Sequence, residues 1–188
     1  AIADNLVYFG NGAGVLNVVK AITGEKVWEF IVEKASFSGG PAIGDGVVYF
    51  PVSTEGLTGD LVAVDLASHQ LRWRYAMGSE SYSSPAVWNG LVFVTNLDGK
   101  LYAIEENTGQ ERWNFATSNA VFSSPIIADG IVYFGSWDQN LYAIDGRNGR
   151  QHWLFTAAGG VSSAAIHEGV VYVGSDNGTL YAIPEEGE

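Results

Sequence analysis

The sequence contains no cysteine and little positive charge. Without cysteine it can form no disulfide, no thiolate metal site and no cysteine nucleophile. Nine of its 188 residues are lysine or arginine, against 21 aspartate and glutamate residues, and the formal net charge is -12. Such a chain repels nucleic-acid phosphates and anionic membrane surfaces. No apolar run approaches the ~20 residues of a membrane-spanning helix. We therefore expect no nucleic-acid partner and no direct membrane insertion.

A helical spacing of apolar residues is also absent, and short β-rich runs bounded by turn residues take its place. Two such runs, broken by an Asp-Asn, Asp-Gly, Asn-Gly or Glu-Gly step, recur five times, at 1–9, 42–50, 86–94, 126–134 and 165–173. An Asx-Gly step between β-rich runs is the strongest short hairpin signal. The pattern predicts an all-β chain.

A second segment, in which an apolar strand and a polar turn precede a tryptophan, recurs four times. Its tryptophans are Trp28, Trp73, Trp113 and Trp153, at intervals of 45, 40 and 40 residues. Four short antiparallel strands per repeat of about forty residues are typical of a β-propeller blade. A β-sandwich is the alternative, but it gives no reason for the fixed period. The sequence predicts four nearly complete blades and a partial fifth.

The predicted organisation is a single β-propeller domain or propeller fragment over 1–188. Its blade repeats are placed at about 1–41, 42–85, 86–125, 126–164 and 165–188. The chain opens without methionine inside strand sequence, so we expect a mature fragment or an excised piece. Either five blades close on themselves, or further sequence or another copy in a homo-oligomer completes the ring, because open blade edges are avoided in soluble proteins.

The turn preceding each tryptophan carries a family resemblance. The third segment contains Ala103, Glu105, Thr108, Gly109 and Trp113, and the fourth contains Ala143, Asp145, Asn148, Gly149 and Trp153. This pattern resembles the tryptophan-docking repeat of pyrroloquinoline quinone (PQQ) type β-propellers. The resemblance implies that the four tryptophans are structural and that each indole packs on a neighbouring blade. The sequence departs from the pattern at Val18, Lys20, His69 and Pro184.

The family resemblance implies two kinds of function. Quinoprotein dehydrogenases of the family hold PQQ and calcium under a vicinal cysteine pair, whereas a non-enzymatic branch of lipoproteins serves outer-membrane assembly. This chain has no cysteine and resembles the second branch more. We expect a non-catalytic, extracytoplasmic scaffold with no cofactor, no metal and no catalytic residue, which binds a protein or polysaccharide. The alternatives are a fragment of a PQQ-dependent dehydrogenase and a carbohydrate-binding propeller.

Residues that the repeat does not explain are the candidates for binding. The second blade carries a four-residue insertion in the hairpin at 53–59, and extra loop length on a rigid scaffold is often functional. Trp137 replaces the Leu97 and Asp176 of other hairpin tips, and an aromatic residue precedes two Ser-Ser-Pro sequences. Hairpin tips and blade-to-blade connections share one face of a propeller, so these residues should converge around the channel mouth. The predicted binding face consists of Glu55, Leu57, Tyr82, Phe122 and Trp137.

Overall fold

The computed structural model describes residues 1–187, which form β-strands joined by short turns. None of these residues lies in a helix. No helix within 1–187 is therefore long and apolar enough to cross a membrane. The prediction of an all-β chain is confirmed.

Within residues 1–187, twenty strands form five sheets, and every strand pairing among them is antiparallel. The first sheet contains β1 (Ile2–Ala3), β2 (Leu6–Gly10), β3 (Val15–Lys20) and β4 (Lys26–Ile31). The second contains β5 (Ala35–Phe37), β6 (Ala42–Gly44), β7 (Val47–Thr54), β8 (Thr58–Asp65) and β9 (Leu71–Ala76). The third contains β10 (Ala86–Trp88), β11 (Leu91–Thr95), β12 (Lys100–Glu105) and β13 (Glu111–Ala116). The fourth contains β14 (Ile126–Ala128), β15 (Ile131–Gly135), β16 (Asn140–Asp145) and β17 (Gln151–Thr156). The fifth contains β18 (Val161–His167), β19 (Val170–Ser175) and β20 (Leu180–Pro184).

Consecutive sheets pack against each other in chain order. The first strands β6, β10, β14 and β18 lie side by side, so they form the inner ring of the arc. The buried apolar clusters each combine residues of two neighbouring sheets, as when Tyr49 of β7 packs with Val94 of β11. Each sheet therefore buries its apolar face only by stacking on the next one. No hydrogen bond, ion pair or aromatic contact within 1–187 joins the first sheet to the fifth.

The hairpins between the first two strands of each sheet follow from the Asx-Gly steps. Asn89 and Gly90 both have positive φ, at 52° and 77°, and the same holds for Asp129 and Gly130, at 47° and 82°. Two consecutive positive φ values characterise the type I′ turn, whose twist matches that of antiparallel strands.

The second sheet differs from the others because its inner strand has two parts. β6 pairs with the start of β7, and β5 pairs with the end of β7 at Val52 to Thr54. β5 precedes residue 42, where the sequence places the start of the second repeat. β18 likewise begins at Val161, before the predicted start at residue 165.

Trp73 contacts the sheet that follows its own. Its indole Nε1–H donates to the carbonyl oxygen of Glu106 at 2.7 Å. A Cβ built on Gly109 would lie only 2.7 Å from the indole ring, and Gly109 has a φ of +70°. Both the close approach and the positive φ require glycine. Trp113 makes the same close approach to Gly149, and Trp153 makes it to Gly187.

His69 shows how the contact survives where the glycine is missing. It has a positive φ of 57°, as the glycines do. Its imidazole stacks on Trp28 with the ring centroids 4.3 Å apart and the planes inclined by 15°. The imidazole of His69 thus takes the place of the glycine on which the indoles of the later blades pack.

A Tyr–Glu pair, buried in one case and partly buried in the other, accompanies two of these contacts. The Tyr49 hydroxyl donates to Glu106 Oε1 at 3.1 Å, and Tyr133 makes a longer contact with Glu185. Between the third and fourth sheets Phe93 replaces the tyrosine and Gly146 replaces the glutamate. The hydroxyl and the carboxylate are lost together, so neither is left buried without the other. Trp113 Nε1 is buried there without a hydrogen-bond partner among residues 1–187.

We expect Trp73→Ala to lower the free energy of unfolding by about 3–5 kcal/mol, the usual cost of truncating a buried tryptophan. Trp137→Ala is the matched control, because 53% of that side chain is exposed. The control should change stability by about 0.5 kcal/mol or less. Urea unfolding followed by circular dichroism measures both values, and equal losses in the two variants would contradict the assignment of Trp73 to a sheet-to-sheet contact.

Burial raises the pKa of the Glu106 carboxyl above its ordinary value of 4.5, and the negative charge of the nearby Asp45 raises it further. The folded protein therefore holds this proton to a higher pH than the unfolded chain does. The resulting stabilisation is present in full below the unfolded-state pKa and is lost as the pH rises through the folded-state pKa.

We therefore expect Glu106→Gln, which keeps an acceptor for Tyr49 but never carries charge, to melt at a higher temperature than wild type at pH 7. The difference should shrink as the pH falls towards 4. Thermal melts across this range test the prediction. Glu105→Gln is the control, because Glu105 forms a partly exposed ion pair with Arg112. A wild type that is as stable as Glu106→Gln at pH 7 would disprove it.

Candidate binding face

Three of the predicted aromatic side chains lie in a row. The ring centroids of Tyr82 and Phe122 are 6.1 Å apart, and those of Phe122 and Trp137 are 4.7 Å apart. The side chains are 48%, 39% and 53% exposed, respectively. The structure therefore presents a continuous, half-exposed aromatic surface, which we call the aromatic row (Tyr82, Phe122, Trp137).

Backbone hydrogen bonds fix the positions of these rings. The tip of the β15–β16 hairpin is held because the Trp137 N–H donates to the carbonyl oxygen of Ala120 at 3.1 Å. The equivalent bond in the preceding blade runs from Leu97 N–H to the carbonyl oxygen of Glu80 at 2.9 Å. Each hairpin tip is thus tied to the connection that enters its own blade, and the row stands on rigid backbone.

Next to the aromatic row, the first serine of each Ser-Ser pair is hydrogen-bonded to the second strand of its own sheet. The Ser83 hydroxyl donates to the carbonyl oxygen of Thr95 at 3.1 Å and accepts the Thr95 N–H at 3.2 Å. Ser123 makes the same pair of bonds with Gly135, at 2.7 and 2.9 Å. These bonds continue the pairing of the inner strand where the regular ladder has ended.

The second serine of each pair accepts a hydrogen bond from the preceding blade. Gly40 N–H donates to Ser84 Oγ at 3.1 Å, Ser84 N–H to Ser124 Oγ at 2.9 Å, and Ser124 N–H to Ser163 Oγ at 2.8 Å. We call this chain of bonds the serine ladder. It joins four consecutive blades along the inner ring, and it was not predicted from the sequence.

Among residues 1–187, no hydrogen bond joins Glu55 or Leu57 to the aromatic row, and their place in the binding face stays a prediction. The insertion does not form the expected loop over 53–59, because β7 runs to Thr54 and β8 begins at Thr58. The two threonine hydroxyls are hydrogen-bonded at 2.6 Å, and pairing with β5 supports the extended hairpin. β-Branched residues suit such a strand extension. The turn contains only residues 55–57, and Leu57 is 75% exposed at its tip.

The electrostatic surroundings of the aromatic row are acidic. The Tyr82 hydroxyl donates to Glu80 Oε2 at 3.3 Å, and the carboxylate raises the pKa of Tyr82. The phenol therefore stays protonated near neutral pH and acts as a donor. Among residues 1–187, no group of three or more histidine, aspartate or glutamate side chains is arranged to hold a metal ion.

A depression at the end of the aromatic row was missed by the sequence analysis. It lies beside Trp137 and includes Asp176, Ser162 and Ser163. A signal was present in the spacing, because nine residues lie between Trp113 and Ser123 but only eight lie between Trp153 and Ser162. The connection into the fifth blade is therefore one residue shorter than its predecessor.

Comparisons with known proteins place this fold in the class of repeat β-propellers. A solved structure of BamB from Moraxella catarrhalis superposes with a TM-score of 0.81 at 17% identity, covering 97% of this chain and 55% of that one. The computationally designed protein Ika8 superposes with a TM-score of 0.82 at 19% identity, covering 97% and 56%. The propeller prediction is confirmed.

The family can be stated from the sequence. A family model described as outer membrane protein assembly factor BamB matches residues 12–154 and 58–188. The chain belongs to this family, the PQQ-like branch that the repeat resembles. Outer membrane protein assembly factor BamB of Xanthomonas campestris pv. campestris is 30% identical over 94 residues, covering 45% of this chain and 22% of that protein. The chain thus spans between about a fifth and just over half of the length of these relatives.

The serine ladder predicts a measurable effect at one hydroxyl. Ser124→Ala removes the acceptor for the Ser84 N–H, and we expect a loss of about 1 kcal/mol in the free energy of unfolding. Ser79→Ala is the control, since the Ser79 hydroxyl makes no hydrogen bond within 1–187 and should leave stability nearly unchanged. Chemical denaturation of both variants makes the comparison. A loss no larger in Ser124→Ala than in Ser79→Ala would rule out a stabilising role for the ladder.

Proposed function

We propose that this chain is a non-catalytic propeller scaffold that binds a protein partner through the aromatic row. The observation that carries the proposal is the row itself, three half-exposed rings of which each contacts the next. Exposed aromatic side chains that touch one another are typical of the centre of protein interfaces. The family to which the chain belongs is named for outer-membrane protein assembly. We propose an extracytoplasmic partner with a role in that process.

In this proposal the repeat tryptophans serve the scaffold and take no part in binding. Trp28, Trp73, Trp113 and Trp153 each cover a turn of the next blade. Their indoles pack between blades, whereas Trp137 stands at a hairpin tip with 53% of its side chain exposed. The distinction separates residues that every blade needs from residues that one binding face needs.

The residues present do not fit the quinone site that a dehydrogenase fragment would require. The resemblance to the dehydrogenases implies a vicinal cysteine pair, and the chain has no cysteine. It also implies acidic side chains that bind calcium, whereas Asp65 and Asp145 each accept hydrogen bonds from backbone N–H groups of their own turns. These carboxylates have the ordinary role of capping a turn.

Carbohydrate or another polymer is the second candidate ligand of this face. Trp137 is half exposed beside serine hydroxyls, and an indole that stacks on a sugar ring needs such an exposed surface. The negative charge of the chain does not favour binding of a neutral glycan, and the family is named for the assembly of outer-membrane proteins. We therefore rank a protein partner first.

Site-specific photocrosslinking in cells tests the proposed function. Benzoylphenylalanine introduced at position 137 should give a discrete adduct with an envelope protein that takes part in outer-membrane protein assembly. The control places the same group at Ile22, which is 92% exposed in the turn between β3 and β4 and away from the hairpin tips. No adduct is expected from that position.

The double variant Tyr82→Ala, Phe122→Ala should weaken the adduct formed from position 137, because it removes the rest of the row. Equal adducts from positions 137 and 22, or no protein adduct from 137, would contradict the proposal. Binding of the wild type on a glycan array, with no protein adduct, would favour the carbohydrate alternative instead.

A further inference from the structure

The depression at the end of the aromatic row exists because the fifth blade lacks one ring. Tyr82 and Phe122 each stand directly before the first serine of their pair, whereas Val161 stands before Ser162. Val161 takes the position of Val121, since its N–H donates to Ser136 as the Val121 N–H donates to Asn96. The residue equivalent to Phe122 is therefore absent. Its place is a depression of about 330 Å³, lined in part by Trp137, Gly160, Ser162, Ser163 and Asp176.

An unpaired carboxylate stands at the rim of this depression. Asp176 forms no hydrogen bond through its side chain and no ion pair with any of residues 1–187. A Cβ built on Gly160 would lie 3.1 Å from Asp176 Oδ2 and 3.3 Å from Trp137 Cδ1. The carboxylate and the indole thus approach the same glycine. Gly159 is equally restricted, because a Cβ there would lie 2.1 Å from Asp176 Oδ1.

A buried hydroxyl in the lining also has no partner. Ser175 is 9% exposed, and its Oγ finds no hydrogen bond within 1–187. The equivalent Ser136 donates to Thr117 Oγ1 at 3.2 Å. In the fifth blade Ala157 replaces that threonine, which removes one of the acceptors that Ser136 has. A buried polar atom without a partner is unusual in a folded protein and can be satisfied by a ligand.

We propose that this depression binds an arginine side chain of the protein partner. A guanidinium stacks on an indole face and at the same time donates to a carboxylate, and Trp137 and Asp176 offer both beside one glycine. A guanidinium only donates hydrogen bonds, so it needs acceptors: the Ser163 Oγ, which accepts the Ser124 N–H, keeps a second lone pair, and the unpartnered Ser175 Oγ can accept as well. The charge of -12 draws basic segments to this chain. A neutral sugar would gain the stacking but not the charge attraction.

The assignment rests on the proposed function, because it names the chemistry by which the partner meets the aromatic row. The arginine would fill the place of the missing ring next to Trp137. The partner thereby continues the row of flat groups that begins at Tyr82. Lysine could supply the charge, but its ammonium lacks the planar face that stacks on the indole and the fork that matches a carboxylate.

The test uses the 188-residue chain and two blocked tripeptides, acetyl-Gly-Arg-Gly-amide and its citrulline analogue. Citrulline has nearly the shape of arginine but carries no charge. Titration is followed by the NMR signal of the Trp137 indole N–H, assigned with Trp137→Phe. The arginine peptide should shift this signal saturably, and the citrulline peptide should bind at least about threefold more weakly.

Asp176→Asn should weaken binding of the arginine peptide by about three- to tenfold. Asp129→Asn is the matched control: it removes the same charge from a turn at the opposite end of the strands, and Asn89 occupies the equivalent position one blade earlier. The control should bind as the wild type does. Both variants should have the wild-type melting temperature within a few degrees, which confirms that the fold is intact.

Equal affinity for the two peptides, or an unchanged affinity in Asp176→Asn, would overturn the proposal. So would a shift of the Trp137 signal by maltotriose or cellotetraose with none by the arginine peptide. A protein adduct from position 137 together with a silent arginine titration would remove the arginine assignment and leave the proposed function standing.

Discussion

The structure depends on the contact between one blade and the next. No single sheet buries its own apolar face, and the buried clusters each draw residues from two sheets. Two sets of directional contacts accompany this packing. On the outer part of each blade an indole covers a turn of the next blade, as Trp73 covers Gly109. On the inner ring a backbone N–H donates to a serine of the next blade, as Ser84 donates to Ser124. The two sets fix both ends of the blade-to-blade packing.

The candidate binding residues lie where this repeating pattern is broken. Trp137 takes a hairpin position that other blades give to Leu97 and Asp176. The connection into the fifth blade omits one residue and leaves a depression in place of a ring. Ala157 takes the place of a threonine that accepts from Ser136 one blade earlier, and Ser175 Oγ has no partner within 1–187. A residue that every blade needs serves the scaffold, so departures that cluster at one edge are the places to look for a ligand.

Much of the fold follows from the sequence because its signals are local and repeated. The Asx-Gly steps demand positive φ at adjacent residues, and the structure has it at Asn89 and Gly90. The fixed tryptophan interval indicates one supersecondary unit per forty residues. The propeller could therefore be predicted without any tertiary information. The departure at His69 could be seen as well, although its explanation, a ring that stacks on Trp28, needs the structure.

The site was harder to predict, because it depends on contacts between residues far apart in the chain. The adjacency of Tyr82, Phe122 and Trp137 followed from the rule that hairpin tips and connections share a face. The shape of the insertion that carries Glu55 and Leu57 was not predicted, because it lengthens two strands, and strand pairing decides its shape more than loop length does. Asp176 was taken only as a turn residue, since its lack of a partner is visible only once its neighbours are placed.

Native-state hydrogen exchange at one blade-to-blade contact tests the account most directly. The Trp73 indole N–H is hydrogen-bonded to Glu106 across two sheets, at 2.7 Å in a buried site. If these contacts unite the blades, this proton should exchange only through global unfolding, with the same opening free energy as central amides of β8 such as that of Val62. An opening free energy several kcal/mol lower at Trp73 than at Val62 would show that the blades separate independently, and would contradict the account.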